Sequence, residues 1–296
     1  MIIAILLVLG LCFGSFVNAL VWRLHEQEEA KEQLEELTKK KQTKASKNAA
    51  SKLQARLKDL SISTGRSMCV DCSHTLTWYD LVPVLSWLSV GGKCRYCRKP
   101  ISWQYPLIEL ATAAIFMFSY MFWPQELTGA GLFNFVIWLI TLVAFMAMTI
   151  YDFRWMIIPN VIVYPLILLT ALQRVVDYAV FGSSWLTFLL TVAAALIGGG
   201  FFYILYQVSA GNWIGGGDVK LGFALGFLVG TPIQALLLLL IASLLGLVGS
   251  IPALVQSKSK HKLQIPFGPF LMLACVILVL FGTSVVRWYS NLLIPS

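Results

Sequence analysis

Two aspartates, Asp152 and Asp218, each lie where a long apolar stretch of the chain meets a polar one. A carboxylate at a membrane boundary is energetically unfavourable, so residues of this kind mark candidate functional sites. Three consecutive glycines, Gly215 to Gly217, precede Asp218 and allow another chain to approach the backbone closely. Two predicted membrane spans separate the aspartates, and an even number of crossings places both at the same membrane edge. The sequence therefore predicts a carboxylate pair.

A close pair of carboxylates has a specific chemistry. Two neighbouring like charges cannot both ionise easily, so the pair shares one proton. The ionised member can accept a proton from water while the protonated member polarises a carbonyl group, as in aspartic proteases. The alternative is structural, because each aspartate could cap a helix or pair with a nearby cation, Arg154 or Lys220.

The elements that must position this pair are predicted to be membrane helices. Of the 296 residues, 58% are hydrophobic and only 12% are charged, which excludes a soluble domain of this length. We expect an all-α polytopic membrane protein with about eight transmembrane helices. The first covers residues 1–23, and the others cover roughly 104–124, 131–151, 159–177, 186–208, 218–230, 232–255 and 267–288.

Positive charge is concentrated in one polar segment. Fifteen of the 22 Lys and Arg residues lie between Arg23 and Lys99, which indicates a cytoplasmic segment and not a nucleic-acid surface. In this orientation 20 of the 22 basic residues lie inside. The predicted domains are the first transmembrane helix at 1–23, a cytoplasmic domain at 24–103 with a charged insertion at 26–66 and a cysteine module at 67–103, and a seven-helix membrane domain at 104–296.

Four cysteines form two CxxC pairs, Cys69 with Cys72 and Cys94 with Cys97, separated by 21 residues. Each pair can supply two thiolates from one turn, and four thiolates complete a tetrahedral shell, so the spacing predicts a structural zinc site. Two disulfides are the alternative, which a cytoplasmic location disfavours. A redox role is a weaker alternative, because nothing nearby indicates a thioredoxin-like fold. Asp80 precedes an apolar run and is expected to cap a helix.

Further motifs accompany the aspartates in the chain. Asp152 is followed by Ile158-Pro159-Asn160, and Asp218 lies in Gly215-Gly216-Gly217-Asp218-Val219-Lys220-Leu221. In this order the chain resembles the type IV prepilin leader peptidases, intramembrane aspartic proteases with a GxGD signature. The resemblance covers nearly the whole chain outside 26–66 and extends to Gly14-Ser15-Phe16-Val17-Asn18 with Arg23, Pro83-Val84-Leu85-Ser86-Trp87, Tyr105-Pro106 with Glu109, and Pro266-Phe267-Gly268-Pro269-Phe270.

This resemblance implies that Asp152 and Asp218 are the catalytic aspartates of an endopeptidase in the bacterial cytoplasmic membrane. The implied substrates are prepilins or pseudopilins, cleaved after the glycine that precedes their hydrophobic stem. We expect Gly215, Gly216, Gly217 and Lys220 to bind the substrate in an extended form. The Pro266–Pro269 motif is expected either to wall this cleft or to start the last helix.

The resemblance also implies a second activity. Family members with such a cysteine module methylate the new N-terminal amine with S-adenosylmethionine. Glu109 is a candidate residue of the methyl-transfer site, and its alternative role is that of a buried acid hydrogen-bonded to its neighbours. The sequence contains no glycine-rich strand–helix motif that would mark a donor site.

Two other classes of function compete with the peptidase. A proton-coupled transporter would use Asp152 and Asp218 as relay carboxylates, but transporter acids lie mostly near the bilayer midplane within inverted repeats. This chain shows no internal repeat, and both aspartates are predicted at one edge. A zinc-stabilised membrane scaffold is the third alternative, and it leaves the glycines before Asp218 unexplained.

Overall fold

Helices are the main regular elements in the part of the chain that the computed structural model describes, with turns and irregular backbone between α-helices at about 60–103. Within that part there are ten α-helices, one 3₁₀ turn and no β-strand, which confirms the predicted all-α class. The chain divides into two compact units, Met1–Met117 and Phe118–Ser296. The predicted domain boundaries follow sequence motifs and stay a prediction. The described residues are 1–39, 44–62, 64–256 and 265–293.

The first unit begins with α1 (Ile2–Lys39), apolar in its first half and charged in its second. A second helix, α2 (Lys44–Asp59), packs against α1, and Arg56 forms an ion pair with Glu26. The described part of the charged insertion is therefore mostly helical, and α1 continues well beyond the predicted end of the first span. The unit also contains a 3₁₀ turn (Trp78–Asp80), α3 (Leu85–Ser89) and most of α4 (Gln104–Met121).

Glycines bring α1 and α4 close together in the first unit. A Cβ atom on Gly14 would lie 2.5 Å from the Cα atom of Glu109, and Gly10 faces Ala113 in the same way. Such distances are too short for any side chain, so larger residues at either glycine would push the helices apart. The two glycines thereby set the position of Glu109 against α1.

The second unit consists of six helices. Six helices of the described chain are long and apolar enough to cross a membrane, namely α1 and five helices of this unit, the exception in the unit being the short α8 (Gly216–Val229). The predicted count of about eight spans is therefore not confirmed, because α4 and α8 do not meet these requirements. The six helices of the unit are α5 (Gly129–Trp155), α6 (Asn160–Ala179), α7 (Trp185–Val208), α8 (Gly216–Val229), α9 (Pro232–Gln256) and α10 (Gly268–Leu293).

Helices α7 and α8 pack backbone against backbone. A Cβ atom on Gly222 would lie 2.7 Å from the carbonyl oxygen of Gly198, and one on Gly226 would lie 2.5 Å from the Cα atom of Ala195. Gly222 and Gly226 therefore allow the two helices to pack closely. The next glycine in the series, Gly230, instead ends α8 with φ of +80°.

A half-buried arginine holds the C-terminal end of α8. Arg174 from α6 donates hydrogen bonds of 2.8 Å to the carbonyl oxygens of Phe227 and Leu228, and it also pairs with Asp177 at 3.2 Å. A cation at this end of a helix interacts favourably with the helix dipole. The arginine and the glycine contacts together fix α8 along its axis, and with it Asp218 at the opposite end.

Candidate active site and cysteine cluster

Asp152 lies in the last turn of α5, where the helix has to stop. Met156 adopts the left-handed conformation with φ of +55°, and its N–H donates a 2.8 Å hydrogen bond to the carbonyl oxygen of Asp152. Pro159 then provides the N-cap of α6. The short link turns the chain back at once, and the side chain of Asp152 remains 5% exposed.

Asp218 lies in the first turn of α8. Gly215 is the N-cap residue of this helix, and the N–H of Asp218 donates a 3.1 Å hydrogen bond to its carbonyl oxygen. Asp218 therefore does not cap the helix itself, which was the structural alternative considered for it. Its side chain is half-buried and interacts with the backbone N–H of Gly215.

Ile158 packs against Gly217, which precedes Asp218, and against Gly268, which contacts Asp152. A Cβ atom on Gly217 would lie 2.9 Å from Ile158 Cβ, and one on Gly268 would lie 3.3 Å from Ile158 Cδ1 and 2.6 Å from Asp152 Oδ2. The charge of Asp152 acts directly on Asp218. The predicted carboxylate pair is thus present as a geometric feature, although its catalytic role stays a prediction.

Each carboxylate of the pair meets the N-terminal end of a helix. Asp218 lies in the first turn of α8, and the backbone N–H of Gly268, the first residue of α10, points at Asp152. Free N–H groups and the helix dipole stabilise negative charge at such ends. The Pro266–Pro269 motif therefore both starts the last helix and walls the site. Sequence reasoning did not predict that Gly268 contacts Asp152.

Lys220 is engaged elsewhere and does not neutralise Asp218. Its Nζ donates a 2.6 Å hydrogen bond to Oδ1 of Asn160 and lies 5.0 Å from the ring centroid of Tyr164. Lys220 thus ties α8 to α6. Of the predicted substrate-binding residues, Gly215 is exposed, whereas Gly217 is in contact with Ile158.

The four cysteines of the CxxC pairs form one cluster in the first unit. Their sulfur atoms all lie within 4.8 Å of one another, and those of Cys69 and Cys97 are 3.9 Å apart. A tetrahedral zinc site with Zn–S bonds of about 2.3 Å requires sulfur separations of about 3.8 Å. All four cysteines are free thiols, so the disulfide alternative is not realised. The cluster could hold a metal ion.

The two CxxC pairs adopt the same turn. The N–H of Cys69 donates to the carbonyl of His74, and the N–H of Cys94 donates to that of Lys99, each five residues on. The residue after each second cysteine has a positive φ, 55° at Ser73 and 60° at Arg98. The cluster is therefore built from two copies of one structure.

Backbone N–H groups prepare Cys94 for metal binding. The N–H groups of Cys97 and Tyr96 donate to its sulfur and lower the pKa of Cys94 to about 7, although burial opposes this. Burial raises the pKa of Cys69 to about 11. Of Cys69 and Cys94, Cys94 is therefore the thiol that ionises more readily at neutral pH. The thiolate is the form that binds a metal ion.

Asp80 anchors the second cysteine turn and is not a helix N-cap, contrary to the prediction. Thr77 is the capping residue, and its hydroxyl donates a 2.7 Å hydrogen bond to Asp80. Arg95 and Tyr96 donate to the same carboxylate at 3.0 and 3.1 Å. Burial raises the pKa of Asp80, but the hydrogen bonds from Thr77, Arg95 and Tyr96 outweigh it and lower that pKa below its ordinary 3.8.

Glu109 is 6% exposed and is hydrogen-bonded within the first unit. Its carboxylate accepts a 2.7 Å hydrogen bond from the N–H of Val84 and one from the side chain of Ser15. This is the arrangement expected of the structural alternative for Glu109. A part in methyl transfer stays a prediction.

Known proteins are similar to this chain over most of its length. Residues 8–123 match the family model described as the bacterial peptidase A24 N-terminal domain, and residues 135–251 match that of the type IV leader peptidase family. A prepilin leader peptidase/N-methyltransferase of Pseudomonas aeruginosa is 30% identical over 292 residues, covering 96% of this chain and 91% of that protein. The chain belongs to the prepilin leader peptidase/N-methyltransferase family.

Other members of the family are similar over much of the chain. The protein of the same name from Bacillus subtilis is 31% identical over 79% of this chain and 88% of its own length. The one from Vibrio cholerae is 33% identical over 73% of this chain and 81% of its own length. No solved structure matches the chain. These relatives support a membrane peptidase with methyltransferase activity and give no support to a transporter.

Proposed function

We propose that this protein is an aspartic endopeptidase that removes the leader from prepilins or pseudopilins, with Asp152 and Asp218 as its catalytic pair. The carrying observation is that the end of α5 and the start of α8 bring the two carboxylates close enough for the charge of Asp152 to act on Asp218. The names of the relatives support the class of substrate.

The carboxylate pair can hydrolyse a peptide bond without a covalent intermediate. The ionised carboxylate takes a proton from water while the water oxygen bonds to the scissile carbonyl carbon. The protonated carboxyl gives its proton to the carbonyl oxygen. The C–N bond then breaks as the leaving amine takes a proton from one carboxyl of the pair. A hydroxyl of the tetrahedral intermediate gives its proton to the other carboxylate as the carbonyl reforms, so the pair is again singly protonated.

The proposed cleavage point is the bond after the glycine that precedes the hydrophobic stem. Gly215 is exposed beside Asp218, so an extended substrate can run past its backbone without meeting a side chain. We assign substrate contacts to Gly215, Gly216, Gly217 and Lys220. Of these, Gly215 supplies exposed backbone and Gly216 is half-buried, whereas Gly217 packs against Ile158 and Lys220 holds α8 against α6 through Asn160.

The proposed location is the bacterial cytoplasmic membrane, with the aspartates and the cysteine module on the cytoplasmic side. The charge distribution supports this orientation, because basic residues of short loops remain inside. Lys258, Lys260 and Lys262, which belong to that count, lie outside the described residues.

A structural zinc ion is the proposed occupant of the cysteine cluster. Four thiolates at these sulfur separations complete a tetrahedral shell and leave no open position for a substrate, so the ion would have a structural role. Zinc would join the two CxxC turns and thereby stabilise the fold between α2 and α4.

The second proposed activity is methylation of the amine that cleavage releases. S-adenosylmethionine would supply the methyl group, in accordance with the methyltransferase named in the relatives. Glu109 is proposed to contribute to this site from the first unit, where its carboxylate is fixed by Val84 and Ser15.

Replacing the aspartates tests the proposed peptidase. In Asp152→Asn and Asp218→Asn, cleavage of a purified prepilin should fall on the order of 10²- to 10⁴-fold, because each variant loses one acid–base partner. Mass spectrometry of the prepilin N-terminus reports both cleavage and methylation. Glu126→Gln is the control, because it removes an exposed carboxylate from the same unit, away from the site. Near-wild-type cleavage by either test variant would contradict the assignment.

A further inference from the structure

A polar cavity lies in the second unit at the C-terminal end of α8, opposite the end that carries Asp218. Two adjoining hollows of about 340 and 290 Å³ form it. Volumes from about 300 Å³ are typical of small-molecule sites. Both hollows are lined by the side chains of Gln125, Asn134, Arg174, Thr187 and Thr191. Among the described residues that line the polar cavity, none has been assigned above to peptide cleavage, methyl transfer or metal binding.

The polar cavity lies at the depth of lipid headgroups. Asp177, which lines it, is near the end of α6, about 26 Å from Asn160 at 1.5 Å per residue. Asn160 lies at the other end of α6, where Lys220 binds it. The hydrocarbon layer of a bilayer is about 30 Å thick, so the cavity lies close to the headgroup layer away from Asp218. The exposed rings of Tyr178 and Trp185 pack together there with centroids 5.6 Å apart, as is typical of aromatic residues at a membrane surface.

Three buried polar atoms of the lining have no hydrogen-bond partner within the part of the chain that the structure describes. They are Oδ1 of Asp177, Oε1 of Gln173 and Nε1 of Trp123. The residue Asp177 is 9% exposed, and its Oδ2 pairs with Arg174 at 3.2 Å. Gln173 is 5% exposed, and its Nε2 donates a 2.8 Å hydrogen bond to Asn134. The amide of Asn134 also acts on the Asp177 carboxylate but leaves Oδ1 without a hydrogen bond. Buried polar atoms are nearly always hydrogen-bonded, so these three indicate an occupant.

The unpartnered atoms define the chemistry of that occupant. Asp177 Oδ1 and Gln173 Oε1 are acceptors, so the occupant must donate hydrogen bonds, and the carboxylate favours a positively charged donor. A primary ammonium group meets both requirements. Because Arg174 already neutralises Asp177, an ammonium group alone would leave excess positive charge in the cavity. An anionic group on the same ligand removes this excess, and Trp123 Nε1 can donate a hydrogen bond to it.

We propose that the polar cavity binds the headgroup of phosphatidylethanolamine from the adjacent membrane leaflet. The ammonium would donate to Asp177 and Gln173, and the phosphate would accept from Trp123. The acyl chains would remain in the bilayer beside the exposed rings of Phe181 and Trp185. This lipid carries both charged groups on one short headgroup, at the depth where the cavity lies. The site is separate from the proposed peptidase and does not depend on it.

The lipid selectivity of the intact protein tests the proposal. The full chain is reconstituted in nanodiscs of phosphatidylcholine, phosphatidylethanolamine and phosphatidylglycerol in equal parts, and native mass spectrometry measures which lipid it retains. Retention of phosphatidylethanolamine should exceed that of the other two about 10-fold, because phosphatidylcholine has no N–H donor and phosphatidylglycerol has no ammonium group. Retention of all three lipids equally, or of none, would overturn the proposal and leave a cavity that holds water. Preference for phosphatidylglycerol would overturn it as well.

A soluble amine is the other source of the same chemistry. Free phosphoethanolamine is added to the full chain in nanodiscs of phosphatidylcholine alone, and its binding is measured in the same way. We expect it to bind about 10-fold more weakly than the lipid or worse, because acyl chains keep a lipid headgroup at a high local concentration at the membrane surface. Equal affinity would assign the site to a soluble ligand and overturn the lipid source.

Variants of the lining test where the retained lipid lies. Asp177→Asn keeps an oxygen for Arg174 but replaces the free acceptor by a donor, so retention of phosphatidylethanolamine should fall about 10-fold. Ala130→Leu fills the cavity from α5 without removing a polar group and should lower retention at least as much. Trp123→Phe removes only an N–H without a hydrogen bond in the described chain and should lower retention about threefold or more. Trp185→Phe, at the same membrane edge, is the matched control and should retain the lipid as the wild type does.

Melting temperatures in phosphatidylcholine nanodiscs show which variants fold. Wild-type retention in a folded Asp177→Asn or in Ala130→Leu would overturn the proposal. If Asp177→Asn melts well below the wild type, Ala130→Leu and Trp123→Phe decide. An equal loss of lipid in Trp185→Phe would place the lipid on the outer surface of the helices and also overturn the proposal.

Discussion

Replacing Gly268 by alanine should disable the peptidase without unfolding the protein. The new Cβ atom would lie 2.6 Å from Asp152 Oδ2, so the carboxylate must move by about 0.8 Å to reach an ordinary contact of 3.4 Å. Misplacement of a reacting group by about 1 Å can reduce a rate on the order of 100-fold, or about 2.7 kcal/mol of barrier. We expect kcat for prepilin cleavage to fall about 10- to 100-fold.

The assay compares Gly268→Ala with Gly200→Ala in the same membrane preparation. Gly200 lies in α7, and a Cβ atom there would meet nothing within 4 Å, so its replacement should change cleavage by no more than about twofold. Initial rates over a range of prepilin concentrations separate kcat from KM. The displaced group is Asp152 and not a substrate contact, so the loss should appear mainly in kcat.

One result would refute this reasoning. If Gly268→Ala folds, shown by a melting temperature near that of the wild type, and cleaves with a kcat within about threefold of it, the 0.8 Å displacement has no catalytic effect. Asp152 would then not be held by the start of α10 in the way the structure shows.

The remaining predictions concern the cysteine cluster and the helix packing. Purified protein should contain near-stoichiometric zinc, measured by inductively coupled plasma mass spectrometry. The variant Cys94→Ser should lose this zinc and melt at a lower temperature. A wild-type protein that contains no metal would contradict the proposed zinc site. Gly226→Leu should lower the free energy of unfolding by about 1–3 kcal/mol or more, and with it the melting temperature, because its Cβ atom alone would lie 2.5 Å from the backbone of α7. The control Gly246→Ala, whose Cβ atom would lie 3.4 Å from the Phe267 ring, should have little effect. Asp80→Asn should destabilise the first unit at neutral pH. Burial raises the pKa of Asp80, but hydrogen bonds outweigh it and lower this pKa in the folded protein below the ordinary value of 3.8. The ionised side chain therefore stabilises the folded state fully above pH 3.8, and this stabilisation is lost as the pH falls through the lower pKa of the folded state. The difference in melting temperature between variant and wild type should therefore vanish in acid.

Sequence patterns predicted the features that depend on residue type and spacing. The apolar blocks gave the all-α class, the two CxxC pairs gave the cluster, and the even number of spans placed Asp152 and Asp218 together. These inferences succeed because hydropathy and ligand spacing are local properties of the sequence, and the side of the membrane follows from a count of crossings.

Other features depend on contacts that leave no mark in the sequence. Gly268 touches Asp152 across more than a hundred residues, and Arg23 is held by backbone carbonyls, which any residue supplies. Asp80 preceded an apolar run and so resembled a helix cap, but its partners come from Arg95 and Tyr96 in a later turn. The predicted count of about eight spans is not confirmed, because α8 (Gly216–Val229) is shorter than a candidate span must be, although it ends at Gly230 as predicted.

The length of α8 changes how the surrounding lipid must be viewed. With 14 residues it measures about 21 Å, roughly 9 Å less than the hydrocarbon layer of a bilayer. Its polar ends therefore lie within the depth that lipid tails normally fill, and a cavity of about 340 Å³ lined by Asn134, Gln173 and Arg174 opens at its C-terminal end. A bilayer can adapt to such a short helix by thinning locally. In the proposed peptidase, thinning at the Asp218 end would let water reach the scissile peptide bond while the pilin stem stays embedded in lipid.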